Sequence, residues 1–163
     1  MLCYFQMTEA HRATSPLDPG VDLYAHSKED ADQGEAHLTW RYQSMVGSLM
    51  YLALGTRPDL AFAVAALSRY NSNPRPAHLT TAQRVLRYVK LTRAFRIHFP
   101  RDATIGATIP TITDPDMIHL NSSLPAIIGF TNSDFAGDRA NRKSQSSYVF
   151  IHNGVPISWR SQK

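Results

Sequence analysis

Apolar positions recur every three to four residues between about residue 38 and residue 93, and beyond that they alternate. Tyr42, Met45, Val46, Leu49, Met50, Leu52 and Ala53 follow the helical period and predict a first helix. Trp40, Tyr42 and Tyr51 read as core aromatics of the same helix. Gly47 lies inside it at a cost of about 1 kcal/mol relative to Ala, and is read as letting another backbone approach closely. Gly55 supplies a stop. Thr56-Arg57-Pro58-Asp59 is a restart: Thr56 as N-cap, Pro58 in the first turn, Asp59 at the positive helix end. Leu60, Ala63, Val64 and Leu67 form the stripe of a second helix. Pro74 and Pro76 break the pattern. A third helix is predicted from about Ala77 or Thr80 to Thr92, with Ala82, Val85, Leu86 and Val89 on its apolar side. Arg84, Arg87 and Lys90 recur at spacing three on the other side.

Phe95-Arg96-Ile97-His98-Phe99 alternates and predicts a strand. Residues 101–124 are rich in Thr, Ile, Asp and Pro and read as a long connection with at most one short strand. Ala126 to Thr131, Ser147 to His152 and Val155 to Trp159 are further strands. The last two are joined by Asn153-Gly154, a strong hairpin signal because both residues tolerate positive φ. Residues 1–37 look irregular. Ser15-Pro16-Leu17-Asp18-Pro19-Gly20 is turn chemistry, and Ser27 to Glu35 is a polar, acidic loop or linker. The expectation is therefore an α+β chain in three segments: an irregular 1–37, a helical 38–93 and a β-rich 94–163.

Composition narrows the function classes. With 43% hydrophobic residues the chain can build a real core. Seventeen Lys+Arg against thirteen Asp+Glu give a net charge of +4, which permits a polyanionic partner without demanding one. Cys3 is the single cysteine, so no intramolecular disulfide forms. Met1 to His11 has no signal-peptide apolar region, and Val46 to Leu54 is too short to span a bilayer. An intracellular protein with no membrane partner is expected. The seven histidines include no i, i+4 pair, so no metal site is expected. Neither a Gly-x-Ser-x-Gly elbow nor a Gly-rich phosphate loop is present.

Six blocks carry a family likeness, in one order. Tyr42 to Ala53 reads YQSMVGSLMYLA and runs into Gly55 to Val64, GTRPDLAFAV. Leu67-Ser68-Arg69-Tyr70 with Asn73-Pro74 and Arg84 to Lys90, RVLRYVK, follow. Thr14 to Pro19 reads TSPLDP upstream. Gly129 to Asp138, GFTNSDFAGD, and Lys143 to Lys163 lie downstream. Together they resemble the Pol polyprotein of copia-type retrotransposons, at the boundary between reverse transcriptase and ribonuclease H.

The resemblance implies a helical thumb- or connection-like segment from behind the polymerase palm, then a truncated, three-stranded ribonuclease H-like sheet. The parent polyprotein uses Mg²⁺ held by carboxylates. The polymerase YVDD hairpin has no counterpart in residues 1–37. By the same resemblance Asn132 stands where the family carries its first ribonuclease H aspartate, and an amide binds Mg²⁺ far less well than a carboxylate. Asp134 matches the second aspartate of that strand and is the one remaining ligand candidate; Asp138 is read as a turn cap. The family's later glutamate lies in a helix past Lys163. The chain is therefore expected to be no enzyme by itself and to hold no cofactor. Arg84, Arg87, Lys90 and Arg93 on a basic helix face are the candidate contacts to an RNA–DNA hybrid or duplex, with Arg139, Arg142 and Lys143 as a smaller cluster. The remainder of the polyprotein is the other expected partner. Two alternatives stay open: a piece that is active when joined to its missing segments, and a domesticated interaction module. The unpaired sheet edge predicts a C-terminal part less ordered than residues 38–93.

Overall fold

The computed structural model describes residues 1–18, 20–23, 36–99, 127–135, 142–152 and 154–163. Within them the chain forms helix α1 (Ala36–Gly55), a 3-10 turn (Pro58–Leu60), helices α2 (Ala61–Ser68) and α3 (Pro76–Leu91), and strands β1 (Ile127–Ser133), β2 (Ser146–His152) and β3 (Val155–Gln162). It is an α+β arrangement, as expected.

The core is helical. Tyr42, Met45, Val46, Leu49 and Ala53 of α1 meet Leu60, Ala63, Val64 and Leu67 and the Ala82, Val85, Leu86, Val89 side of α3. Each helix contributes the residues its period selects. α3 starts at Pro76 because a proline in the first turn loses no helical hydrogen bond. Residues 1–18 form turns, yet Phe5, Met7 and Ala13 are buried in the same core. The segment packs onto the helices and does not merely lead into them.

Four expectations need correction. Trp40 and Tyr51 are exposed while Tyr42 is buried, since at 100° per residue Tyr42 points nearly opposite to the other two. Among the described residues nothing lies within 4 Å of the position a Cβ on Gly47 would take, so no described backbone closes on it. Thr56 does not cap; Arg57 occupies that place, with no side-chain cap bond. Residues 95–99 form no strand. They leave a turn closed by the Phe95 N–H to the Thr92 carbonyl at 2.9 Å, and alternation makes a strand only where a neighbour supplies a ladder. The expected connection over 101–124, the loop over 27–35, and Asp138 and Arg139 lie outside the described residues.

The sheet is a fully antiparallel meander in the order β1-β2-β3. His152 pairs with Val155 across the predicted two-residue turn, with Gly154 at φ +77°. The register sets Phe130, Val149 and Trp159 on one face and Gly129, Phe150 and Ser158 on the other. The first face turns to the helices: the Trp159 indole N–H donates to the Ala53 carbonyl at the end of α1, at 2.6 Å.

Candidate functional site between helix α2 and the sheet

The seam between helices and sheet holds a cleft of about 520 Å³. Phe62 of α2 lines one side, and Phe130, Asn132, Asp134 and Trp159 line the other. Asn132 pairs across the ladder with Ser147 and is exposed. Asp134 follows β1. Its N–H donates to the Gln145 carbonyl at 3.1 Å, and its Oδ1 accepts the Gln145 N–H at 2.5 Å. The carboxylate thus closes the open end of the β1-β2 ladder. Gln145 extends the connection: its amide nitrogen donates to Ser161 Oγ at 2.7 Å, and its amide oxygen accepts from the Arg69 guanidinium beyond α2. Asn132 and Asp134 both line this cleft. No group of three or more His, Cys, Asp or Glu able to hold a metal occurs among the described residues.

The basic positions of α3 are differently occupied. Arg84 Nη2 donates to Ser15 Oγ at 3.1 Å, and its Nη1 lies 3.5 Å from the Asp18 carboxylate. Lys90 donates to the Ala10 carbonyl at 3.0 Å. Both hold the N-terminal segment against the helix. Arg87 is half-buried; Arg93 does not share the expected helix face, because α3 ends at Leu91, and it is exposed in the turn that follows. Arg142 and Lys143 are exposed ahead of β2.

The most engaged charged pair lies elsewhere. Arg57 is only 5% exposed. Its guanidinium grips the Asp59 carboxylate through two bonds of 2.9 and 2.7 Å. It also donates to the Thr92 carbonyl at 3.2 Å and Thr92 Oγ1 at 2.6 Å, and lies over the rings of Tyr88 and Phe95. The Asp59 hydrogen bond raises the Arg57 pKa further, against the effect of burial. The Arg-Pro-Asp block thereby ties the start of the 3-10 turn to the C-terminal end of α3.

His78 is the second such joint. Its Nδ1 accepts the Arg75 N–H at 3.0 Å, its Nε2 lies 3.0 Å from the Leu23 carbonyl, and its ring stacks on Tyr70 at 4.1 Å. Sequence patterning does not mark Arg57, His78, Gln145 or Trp159 as functional. For Arg57 a signal existed, an arginine two residues before an aspartate across a proline turn; for Gln145 there was none, because its partners are distant in the chain.

No family model matches the chain, and no solved structure matches it. It is similar to curated proteins, however. It is 38% identical over 122 residues to the secreted RxLR effector protein 161 of Plasmopara viticola, a match covering 75% of this chain and 72% of that protein. It is 37% identical over 121 residues to the retrovirus-related Pol polyprotein from transposon TNT 1-94 of Nicotiana tabacum, and 30% identical over 165 residues to that from transposon RE1 of Arabidopsis thaliana. Of those two polyproteins the matches cover only 8% and 9%. The likeness to the two Pol polyproteins, which runs over three quarters of this chain in one and all of it in the other, makes the chain a copia-type retrotransposon Pol segment that spans under a tenth of those polyproteins' length.

Proposed function

We propose that the chain is a non-catalytic piece of the reverse transcriptase and ribonuclease H region of such a polyprotein. In this reading the helices belong behind the polymerase palm, and β1-β2-β3 are the opening strands of a ribonuclease H-like sheet. Joined to the rest of a polyprotein, the segment would be scaffold between two active sites. One observation carries the reading. At the end of β1 the Asp134 carboxylate is already bonded to the Gln145 N–H, and two residues before it stands an amide, Asn132, where the resemblance would put the family's first aspartate. Two-metal chemistry needs several carboxylates converging on the ions, and this strand end offers one that is engaged in closing a ladder. Titrating Mg²⁺ and then Mn²⁺ while following the amide signals of residues 131–134 tests it. No saturable change is expected there; a saturable shift or broadening that Asp134→Asn removes would overturn it.

The residual activity in this reading is weak, sequence-independent binding of an RNA–DNA hybrid or duplex along α3 and the turn that follows it. Arg93 and Arg87 would make most of the phosphate contacts, because Arg84 and Lys90 also hold the N-terminal segment. Affinity for a labelled hybrid should fall steeply with added salt and should weaken in Arg87→Ala/Arg93→Ala. Absence of binding at low salt, or an unchanged affinity in that variant, would remove this part of the reading.

A further inference from the structure

Helix α1 is apolar on both sides. Its inner side is the core. Its outer side presents Trp40, Met50, Tyr51 and Leu54, which are 58%, 36%, 81% and 69% exposed. The other residues of that side, Gln43, Ser44 and Gly47, carry no charge, and Arg41 lies on the flank. A helix apolar all round is ordinarily buried all round, and an uncharged apolar patch of this extent usually marks an interface.

The spacing of the patch says what fits it. Trp40, Gly47 and Leu54 lie at seven-residue intervals, so they fall within about 20° of one line along the helix. The arrangement is symmetric about Gly47. Trp40 and Leu54 stand seven residues either side, Gln43 and Tyr51 four, Ser44 and Met50 three. A two-fold axis through Gly47 sets Trp40 against Leu54 and Met50 against the small Ser44, and places the polar tip of Tyr51 beside the Gln43 amide, whose nitrogen donates to the Asn71 carbonyl at 2.8 Å. Such self-complementarity defines an isologous contact. Gly47 sits at the crossing point, and the space where its Cβ would be is open, so two backbones can close there. The four side chains leave on the order of 500 Å² of surface open per copy, so a contact that covers all of it in both copies buries roughly 1,000 Å², the lower bound for a specific interface.

We propose that the outer face of α1 packs antiparallel against the same face of a second copy of this chain, crossing at Gly47. The inference stands on exposure and spacing and does not rest on the reading of Asn132 and Asp134. Sedimentation of the full chain over a wide concentration range should show a reversible monomer–dimer equilibrium. Tyr51→Glu/Leu54→Glu, a change of two exposed residues, should shift it to monomer with an unchanged circular dichroism spectrum. Geometry is read by mild oxidation in a Cys3→Ser background. Gly47→Cys should cross-link to itself, and Trp40→Cys should cross-link to Leu54→Cys in a mixture. Trp40→Cys alone should not, since two copies of that position would lie ~21 Å apart along the axis, beyond disulfide reach. A chain that is monomeric at every concentration, or a Trp40→Cys variant that cross-links to itself as readily as to Leu54→Cys, overturns the proposal. So does a chain that stays monomeric alone and uses this face only for a different protein.

Discussion

Arg57 shows how one residue ties distant parts of this chain together. Four hydrogen bonds from its guanidinium meet a carboxylate, a carbonyl and a hydroxyl at once, a pattern a planar fork can satisfy and an ammonium cannot. Arg57→Lys is expected to cost about 1–3 kcal/mol of stability, read by urea unfolding; a change too small to resolve would mean that the clamp is ornamental. The pair also sets an acid limit. Burial alone would raise the Asp59 carboxyl, but the Arg57 hydrogen bond and charge outweigh it and hold it below the ordinary aspartate value. A carboxyl lowered by folding stabilises the fold above its unfolded pKa, and that contribution is lost as pH falls through the folded one. Stability from this pair should therefore be constant above about pH 4, the ordinary aspartate value, and decline below it. Asp59→Asn should flatten that limb in urea midpoints measured against pH. The local half of this geometry, Arg57 with Asp59, was legible in the motif Thr56-Arg57-Pro58-Asp59; the other half was not, because Thr92 lies thirty-five residues away.

At the scale of elements, periodicity located the helices and the sheet because each buries one stripe or one face. It failed at residues 95–99, where alternation found no ladder, and at Trp40 and Tyr51, where the helix is apolar on its outer side too. Sheet pairing leaves two testable joints. A Cβ on Gly129 would come within 2.7 Å of the Phe150 ring, so the glycine lets that ring lie on the β1 backbone. Gly129→Ala should destabilise the chain by about 1–3 kcal/mol. In a Phe150→Ala background the same change should cost clearly less, a coupling that a double-mutant cycle reads directly. Equal costs in both backgrounds would contradict the contact. Trp159→Phe keeps an aromatic side chain, smaller than the indole, and removes the N–H given to Ala53. It should loosen the sheet from α1 by about 1 kcal/mol and lower hydrogen-exchange protection in β1-β3 more than in the helices. Uniform protection in both halves, before and after the change, would show that the sheet does not depend on this bond.

Over the whole molecule, the blocks that identify the family turn out to be joints. Arg-Pro-Asp clamps α3, the end of α1 receives Trp159, and the Asp134 region closes a ladder against Gln145. The family was legible in the sequence because these blocks stand close together in order along the chain. The docking of residues 1–18 onto Arg84 and Lys90 was not, because it is made by side chains reaching single carbonyl and hydroxyl groups. The central claim is that this fragment carries scaffold and no chemistry. Incubating the purified chain with a labelled RNA–DNA hybrid in Mg²⁺, and then Mn²⁺, tests it most directly. The account predicts no cleavage of the RNA strand above a protein-free control, in the native chain and in Asn132→Asp alike, because restoring one carboxylate leaves the second metal without ligands. Metal-dependent cleavage by the native chain that disappears in Asp134→Asn would contradict it.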